Sequence, residues 1–136
     1  MADWTPSPAD TPFLRLGGEP AVRALVTRFY DAMEEQEPLL AALHECDPPG
    51  RLTANTRERF SLFLIGWLGG PQDYTAKHGH PRLRMRHARV PVNAAMRDAW
   101  LRCMKRALDG GAFEPAVRAF VEERLTEVAD FLRNAP

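Results

Sequence analysis

Between Glu19 and Glu35, Val22, Leu25, Val26, Phe29, Tyr30 and Met33 recur at three- and four-residue steps. That spacing predicts a helix burying one apolar stripe. A short apolar segment, Leu39 to Leu43, precedes Asp47-Pro48-Pro49-Gly50, a turn signal at which the chain must reverse. Asn55, with Glu58 three residues on, predicts a capped helix whose wide apolar face holds Phe60, Phe63, Leu64, Trp67 and Leu68 and which Gly69-Gly70-Pro71 stops. Asn93 caps a further helix with Met96, Trp100, Cys103, Met104 and Ala107 on one face and Gly110-Gly111 at its end. Pro115 opens the last helix, running through Leu132 with Val117, Val121, Leu125, Val128 and Phe131 or Leu132 inward. No alternating strand pattern or repeat competes. The expectation is an all-α domain of four substantial helices and two short ones, in which two helix pairs could enclose a flat apolar ligand. Residues 1–12, with three prolines and no periodicity, are expected to be a flexible tail ahead of a single domain over residues 13–136.

Composition narrows this picture. A chain of 136 residues is one domain, large enough to bury a core and a cofactor. Its 18 Lys and Arg balance 18 Asp and Glu, so no overall field favours nucleic acid or an anionic membrane. Arg82, Arg84, Arg86 and Arg89 form a local basic cluster that suits a small anion better than a polymer. Cys46 and Cys103 lie far apart, with no Cys-x-x-Cys or Cys-x-x-Cys-His, which argues against a zinc ribbon, a redox pair and covalent haem attachment. No apolar run reaches membrane-spanning length, and the first residues lack the basic start and apolar stretch of a signal peptide. A cytoplasmic protein with reduced thiols is expected.

The chemistry concentrates in Gly79-His80-Pro81-Arg82-Leu83-Arg84-Met85-Arg86-His87, followed by a turn containing Pro91 and by Asp98-Ala99-Trp100-Leu101-Arg102-Cys103-Met104. On local sequence alone, His87 reads as a histidine on a charged helix making surface hydrogen bonds, Tyr30 as a core tyrosine and Trp100 as a packing residue. An imidazole ending a short helix, next to a helix that carries an aromatic residue, also suits an iron ligand.

Word for word, GHPRLRMRHARVPV and DAWLRCM resemble the truncated haemoglobins, and within them the second group. The likeness runs from about Phe13 to Leu132 and is most specific from Leu68 to Met104. It implies a globin-like two-over-two helical sandwich enclosing haem b. By the same resemblance, His87 is the iron ligand, and Tyr30 and Trp100 donate hydrogen bonds to a bound diatomic ligand. At the corner where the family often has tyrosine or phenylalanine, Leu43-His44 stands here, with either residue facing the ligand. An inward His44 would make binding pH-dependent and could serve as an acid or base. Thr56 aligns with the small gate residue and Phe60 with a bulky residue above the haem. Tyr74, His80 and Arg84 are expected at the haem propionates, and Phe63, Leu64, Met85 and Val92 against its faces. Arg89 and Val90 depart from the proline and phenylalanine usual after the ligand histidine.

The function implied is reversible binding of dioxygen and other diatomic ligands such as carbon monoxide and nitric oxide, by a monomer or homodimer. Turnover of nitric oxide or peroxide is the enzymatic alternative. Sustained nitric oxide oxidation would require a reductase partner, since the chain carries no flavin or nicotinamide motif. From other classes come a haem-free globin-fold interaction module and a zinc site built from His78, His80, His87 and Cys46.

Overall fold

The computed structural model describes residues 4–88 and 90–135. Eight helices follow one another: α1 (Pro12–Leu16), α2 (Gly18–Gln36), α3 (Pro38–Ala41), α4 (Ala54–Trp67), α5 (Asp73–His78), α6 (Leu83–Arg86), α7 (Ala94–Asp109) and α8 (Pro115–Phe131). The principal packing joins α2 to α4, α7 to α8, and α2 to α7. Two helix pairs stacked through α2 and α7 make the expected two-over-two arrangement.

The long helices bury the stripes their spacing predicts. On α2, Val22, Leu25, Val26, Phe29, Tyr30 and Met33 are all buried, and on α8 Val117, Val121, Leu125 and Ala129 are. Fully burying such a side chain contributes roughly 1.5–3 kcal/mol, so these two stripes dominate the core. Asn93 caps α7 as expected, its side chain accepting from the Met96 amide at 2.9 Å. The cap of α4 is Thr53, not Asn55: its hydroxyl accepts from the Thr56 amide at 3.1 Å and its backbone is extended, while Asn55 already lies inside the helix. Of the two candidates at the end of α8, Phe131 is exposed and Leu132 turns inward.

Helices α1 and α5 were not expected, and the N-terminal segment is not a free tail over its described residues. Trp4 packs edge-on against Phe120 of α8, with ring centroids 5.3 Å apart, and donates its indole N–H to Asp10 at 3.0 Å. Arg15 closes the segment with two bonds to the Asp10 carboxylate, whose pKa it holds down at about 2. Phe13 then lies on Gly70, where any Cβ would meet its ring at 2.7 Å. A glycine is therefore required where α4 hands over to the loop before α5. Cys103 is buried on the inner face of α7, and burial raises its thiol pKa to about 11.

Candidate functional site

A cavity of about 460 Å³ opens between the helix pairs, within the roughly 300–1,000 Å³ usual for cofactor sites. One wall is aromatic. Phe29 anchors it from the core, with Tyr30 at 4.9 Å and Trp100 at 5.0 Å between ring centroids. Tyr30 in turn meets Phe60 at 5.7 Å and His44 at 5.9 Å, both edge-on. Three long helices, α2, α4 and α7, thus bring Tyr30, Phe60 and Trp100 to one place on the cavity. Thr56 also lines it, and its hydroxyl is engaged with the Thr53 hydroxyl at 3.0 Å.

The protonation chemistry of this wall is well defined. Burial pushes the Tyr30 phenol well above its ordinary pKa, partly offset by the nearby Arg57 cation, and no hydrogen bond contributes to the shift. The hydroxyl therefore stays protonated and available as a donor. Both Leu43 and His44 face the cavity, so the one-residue ambiguity at this corner resolves to a pair. Burial lowers the His44 pKa, and its Nδ1 lies 3.0 Å from the Leu40 carbonyl. A carbonyl can only accept, so Nδ1 carries the proton and the neutral ring presents Nε2 as an acceptor. Of the acid and base roles expected of an inward His44, this state leaves the base.

The remainder of the lining comes from Leu83 and Arg86 of α6, His87, the following loop and α8. His87 caps α6, and its Nδ1 lies 2.7 Å from the Leu83 carbonyl. The same reasoning puts a proton on Nδ1, so Nε2 is the ring nitrogen left for a metal on this half-buried side chain. Val90 and Val92 also face the cavity, while Arg89 lies outside the described residues.

Of the other expected contacts, Phe63, Tyr74 and Val92 line the cavity, whereas Leu64, His80, Arg84 and Met85 do not. Leu64 is fully buried in the helical core. Met85 is 61% exposed, and Arg84 stacks its guanidinium over Phe131 at 4.9 Å. His80 accepts from the Arg82 amide at 3.0 Å on the exposed surface. The cations that reach the cavity are Arg59, Arg86 and Arg97. Arg97 is held by Asp98 and Asp130, whereas none of the ion pairs among the described residues uses Arg59 or Arg86. Both lower the pKa of His78, after burial itself, and His78 lies tilted against Tyr74 with ring centroids 5.0 Å apart. The rim is therefore cationic around Tyr74. Sequence reasoning missed Arg59 altogether. It lies one residue before Phe60 and three after Thr56, a spacing that put it on the cavity side of α4.

Among the described residues no three His, Cys, Asp or Glu side chains converge as a metal site of their own, so His78, His80, His87 and Cys46 do not assemble a zinc centre. No described helix is long and apolar enough to cross a membrane.

Comparison with known proteins places this arrangement. The bacterial-like globin family model matches residues 11–134. The group 2 truncated haemoglobin YjbI of Bacillus subtilis (strain 168) is 39% identical over 117 residues, covering 86% of this chain and 84% of its own length. Among solved structures, the group II 2-on-2 haemoglobin of Agrobacterium tumefaciens superposes with a TM-score of 0.84 at 33% identity, over 100% of both chains. The truncated oxygen-avid haemoglobin of Bacillus subtilis does so with a TM-score of 0.80 at 36% identity, over 91% of this chain and 99% of its own. An all-helical two-over-two fold, a cavity carrying a histidine at a helix end, and a family match over nearly the whole length make this chain a bacterial-like globin of the group II truncated haemoglobins.

Proposed function

We propose that the chain binds haem b non-covalently, with His87 as the residue that would hold its iron, and that it binds dioxygen, carbon monoxide or nitric oxide there. The observation that carries this reading is one apolar cavity holding both a histidine with a free Nε2 and a buried tyrosine hydroxyl available to donate. The residues present suit the group: apolar walls, an imidazole with Nδ1 already engaged, and cations at the rim for carboxylates. Haem would supply an iron centre able to bind diatomic gases reversibly.

The chain's own residues do the rest. The Leu83 carbonyl holds the His87 Nδ1 proton and the ring orientation, turning Nε2 to the iron. Tyr30 and Trp100 donate hydrogen bonds to a polar diatomic ligand, and their anchoring by Phe29 holds those donors in place before the ligand arrives. Arg59 and Arg86, with Tyr74, bind the propionate carboxylates in the role expected of Arg84 and His80. Phe60, Phe63, Val92, Met96 and Leu132 exclude water from the macrocycle's faces, and Thr56 leaves the entrance narrow-sided but open. The similar truncated haemoglobin of Bacillus subtilis is itself oxygen-avid.

The test is the visible spectrum of the purified protein, reduced with dithionite and exposed to carbon monoxide, beside His87→Ala. A sharp Soret band that shifts with carbon monoxide and broadens or vanishes in the variant is expected. A colourless protein that takes up no added hemin would overturn the reading in favour of a haem-free interaction module.

His44 favours a second reading, peroxide turnover. Burial keeps the ring neutral and Nδ1 is committed to Leu40, so Nε2 is a base facing the cavity, able to accept a proton from hydrogen peroxide. Stopped-flow peroxide consumption that is negligible, or unaltered in His44→Phe, would rule this out.

A further inference from the structure

Nothing in the packing of α6 explains how His87 is held still. The helix has four residues and buries none of them. The chain from His87 to Val92 carries no regular structure over its described residues. Its first amides bond locally, His87 to the Leu83 carbonyl, Ala88 to that of Met85 and Val90 to that of His87. The Val90 carbonyl and both backbone groups of Val92 instead bond to the chain beyond the end of α8, chiefly to Asn134. The Asn134 side chain donates through Nδ2 to the His87 carbonyl at 3.0 Å and to the Val90 carbonyl at 2.9 Å, and accepts through Oδ1 from the Val92 amide at 2.8 Å. Its backbone N–H adds a bond to the Val92 carbonyl at 2.8 Å. The network fixes the orientation of the carboxamide: flipped, an oxygen would face two carbonyls and an NH₂ would face an N–H.

We infer that Asn134 is a positioning residue for the iron ligand: its carboxamide clamps both ends of the His87–Val92 loop and so sets the pose and retention of the His87 imidazole. This deepens the haem reading and rests on it. Three features make the clamp more than a chain end tied down. It bonds the backbone of the ligating residue itself. It spans the loop at both ends. It also sits just past the end of α8, whose Leu125, Val128 and Ala129 line the cavity with the capping Leu132, so the end that ties the His87 backbone continues the helix that floors the site. Arg84, stacked over Phe131, is a second tie between α6 and this end of α8. Partners in the outer shell of a metal ligand typically carry 10- to 100-fold in metal affinity, and exposure of Asn134 puts its effect at the lower end.

The experiment uses the haem-loaded full chain with Asn134→Ala, Asn134→Asp and, as a comparison outside the cavity, Trp4→Ala. Hemin transfer to excess apomyoglobin and the iron–histidine stretching band of the ferrous protein are the readouts. About tenfold faster hemin loss is expected for Asn134→Ala, with a shifted or broadened band. Asn134→Asp, which keeps the acceptor but turns a carboxylate toward two carbonyls, should lose hemin faster still. Trp4→Ala should lower the melting temperature without moving the band. If the Asn134 variants only melt earlier, and retain the wild-type band and hemin loss rate, the clamp is a plain structural tie and the inference falls while the haem reading stands. If the wild type takes up no hemin, the haem reading falls and the inference falls with it.

Discussion

Phe29, which anchors the aromatic wall of the cavity, is completely buried among Tyr30, Phe60 and Trp100, whereas α6, which carries His87 at its end, buries no residue at all. The first wall is positioned by side-chain packing on three long helices that also make the core. The second is positioned by hydrogen bonds, to the Leu83 carbonyl and to Asn134, and by one stacked arginine. Dense packing fixes a group at the cost of coupling it to stability, because removed volume leaves a cavity. Polar ties on a short exposed helix leave a ligand free to be tuned with little effect on the fold. On the proposed reading, the molecule thus separates what must not move, the donors, from what must approach and hold an iron.

Substitutions can break this contrast. The largest effect is expected for Phe29→Ala, which should lower the unfolding free energy by about 3–5 kcal/mol, read by urea denaturation of the hemin-free protein. A loss below 1 kcal/mol would show that the aromatic wall is not held by the core. Tyr30→Phe should sharpen the contrast by separating function from stability. The hydroxyl has no hydrogen bond contributing to its raised pKa, so its loss should leave urea stability unchanged or slightly higher. Oxygen release should nonetheless quicken by roughly ten- to a hundredfold, the loss of a bond worth roughly 1.5–3 kcal/mol. An unaltered release rate by stopped flow would remove Tyr30 from the donor role. On the other wall, Arg84→Ala removes a contact worth about 0.5–1 kcal/mol, and its melting temperature should fall by no more than a few degrees. A fall as large as that of Phe29→Ala would erase the difference between the walls.

The smallest effect concerns pH. Burial lowers the His44 pKa below its ordinary 6.5, so near and below that value the unfolded chain binds more protons than the folded one. Stability contributed by the neutral ring is present above pH 6.5 and is lost as pH falls below it. His78 is shifted in the same direction, by burial and by Arg59, Arg86 and Lys77. His44→Phe should therefore flatten, but not abolish, the decline of melting temperature of the hemin-free protein between neutral pH and about pH 5. An identical slope in the variant would mean that His44 is not buried in its neutral form.

The same division decides what could be read from sequence. The stripe on α2 and the Asn93 cap on α7 were legible because long amphipathic helices state their buried face by periodicity and their start by capping chemistry. Thr53 and Asn55 are both good caps, and only the extended backbone at Thr53 separates them. The basic run before His87 has no such redundancy. On a four-residue helix a single turn decides which side chain reaches the cavity, and it is Arg86 rather than Arg84 or Met85. Trp4 was hidden for a different reason, since its partners Asp10 and Phe120 lie in two separate elements and no local pattern announces the contact. Asn134 was hidden likewise, its partners being backbone groups 42 to 47 residues away.

Cys103 carries a consequence of another kind. A thiol whose pKa is raised to about 11 is almost wholly protonated at neutral pH, and at 2% exposure it is also out of reach of dissolved oxidants. Thiolate character and access are what start a cysteine on the path to sulfenic acid and disulfide. Placed on the helix that supplies Trp100, this sulfur is shielded from oxidation beside the site proposed to take oxygen.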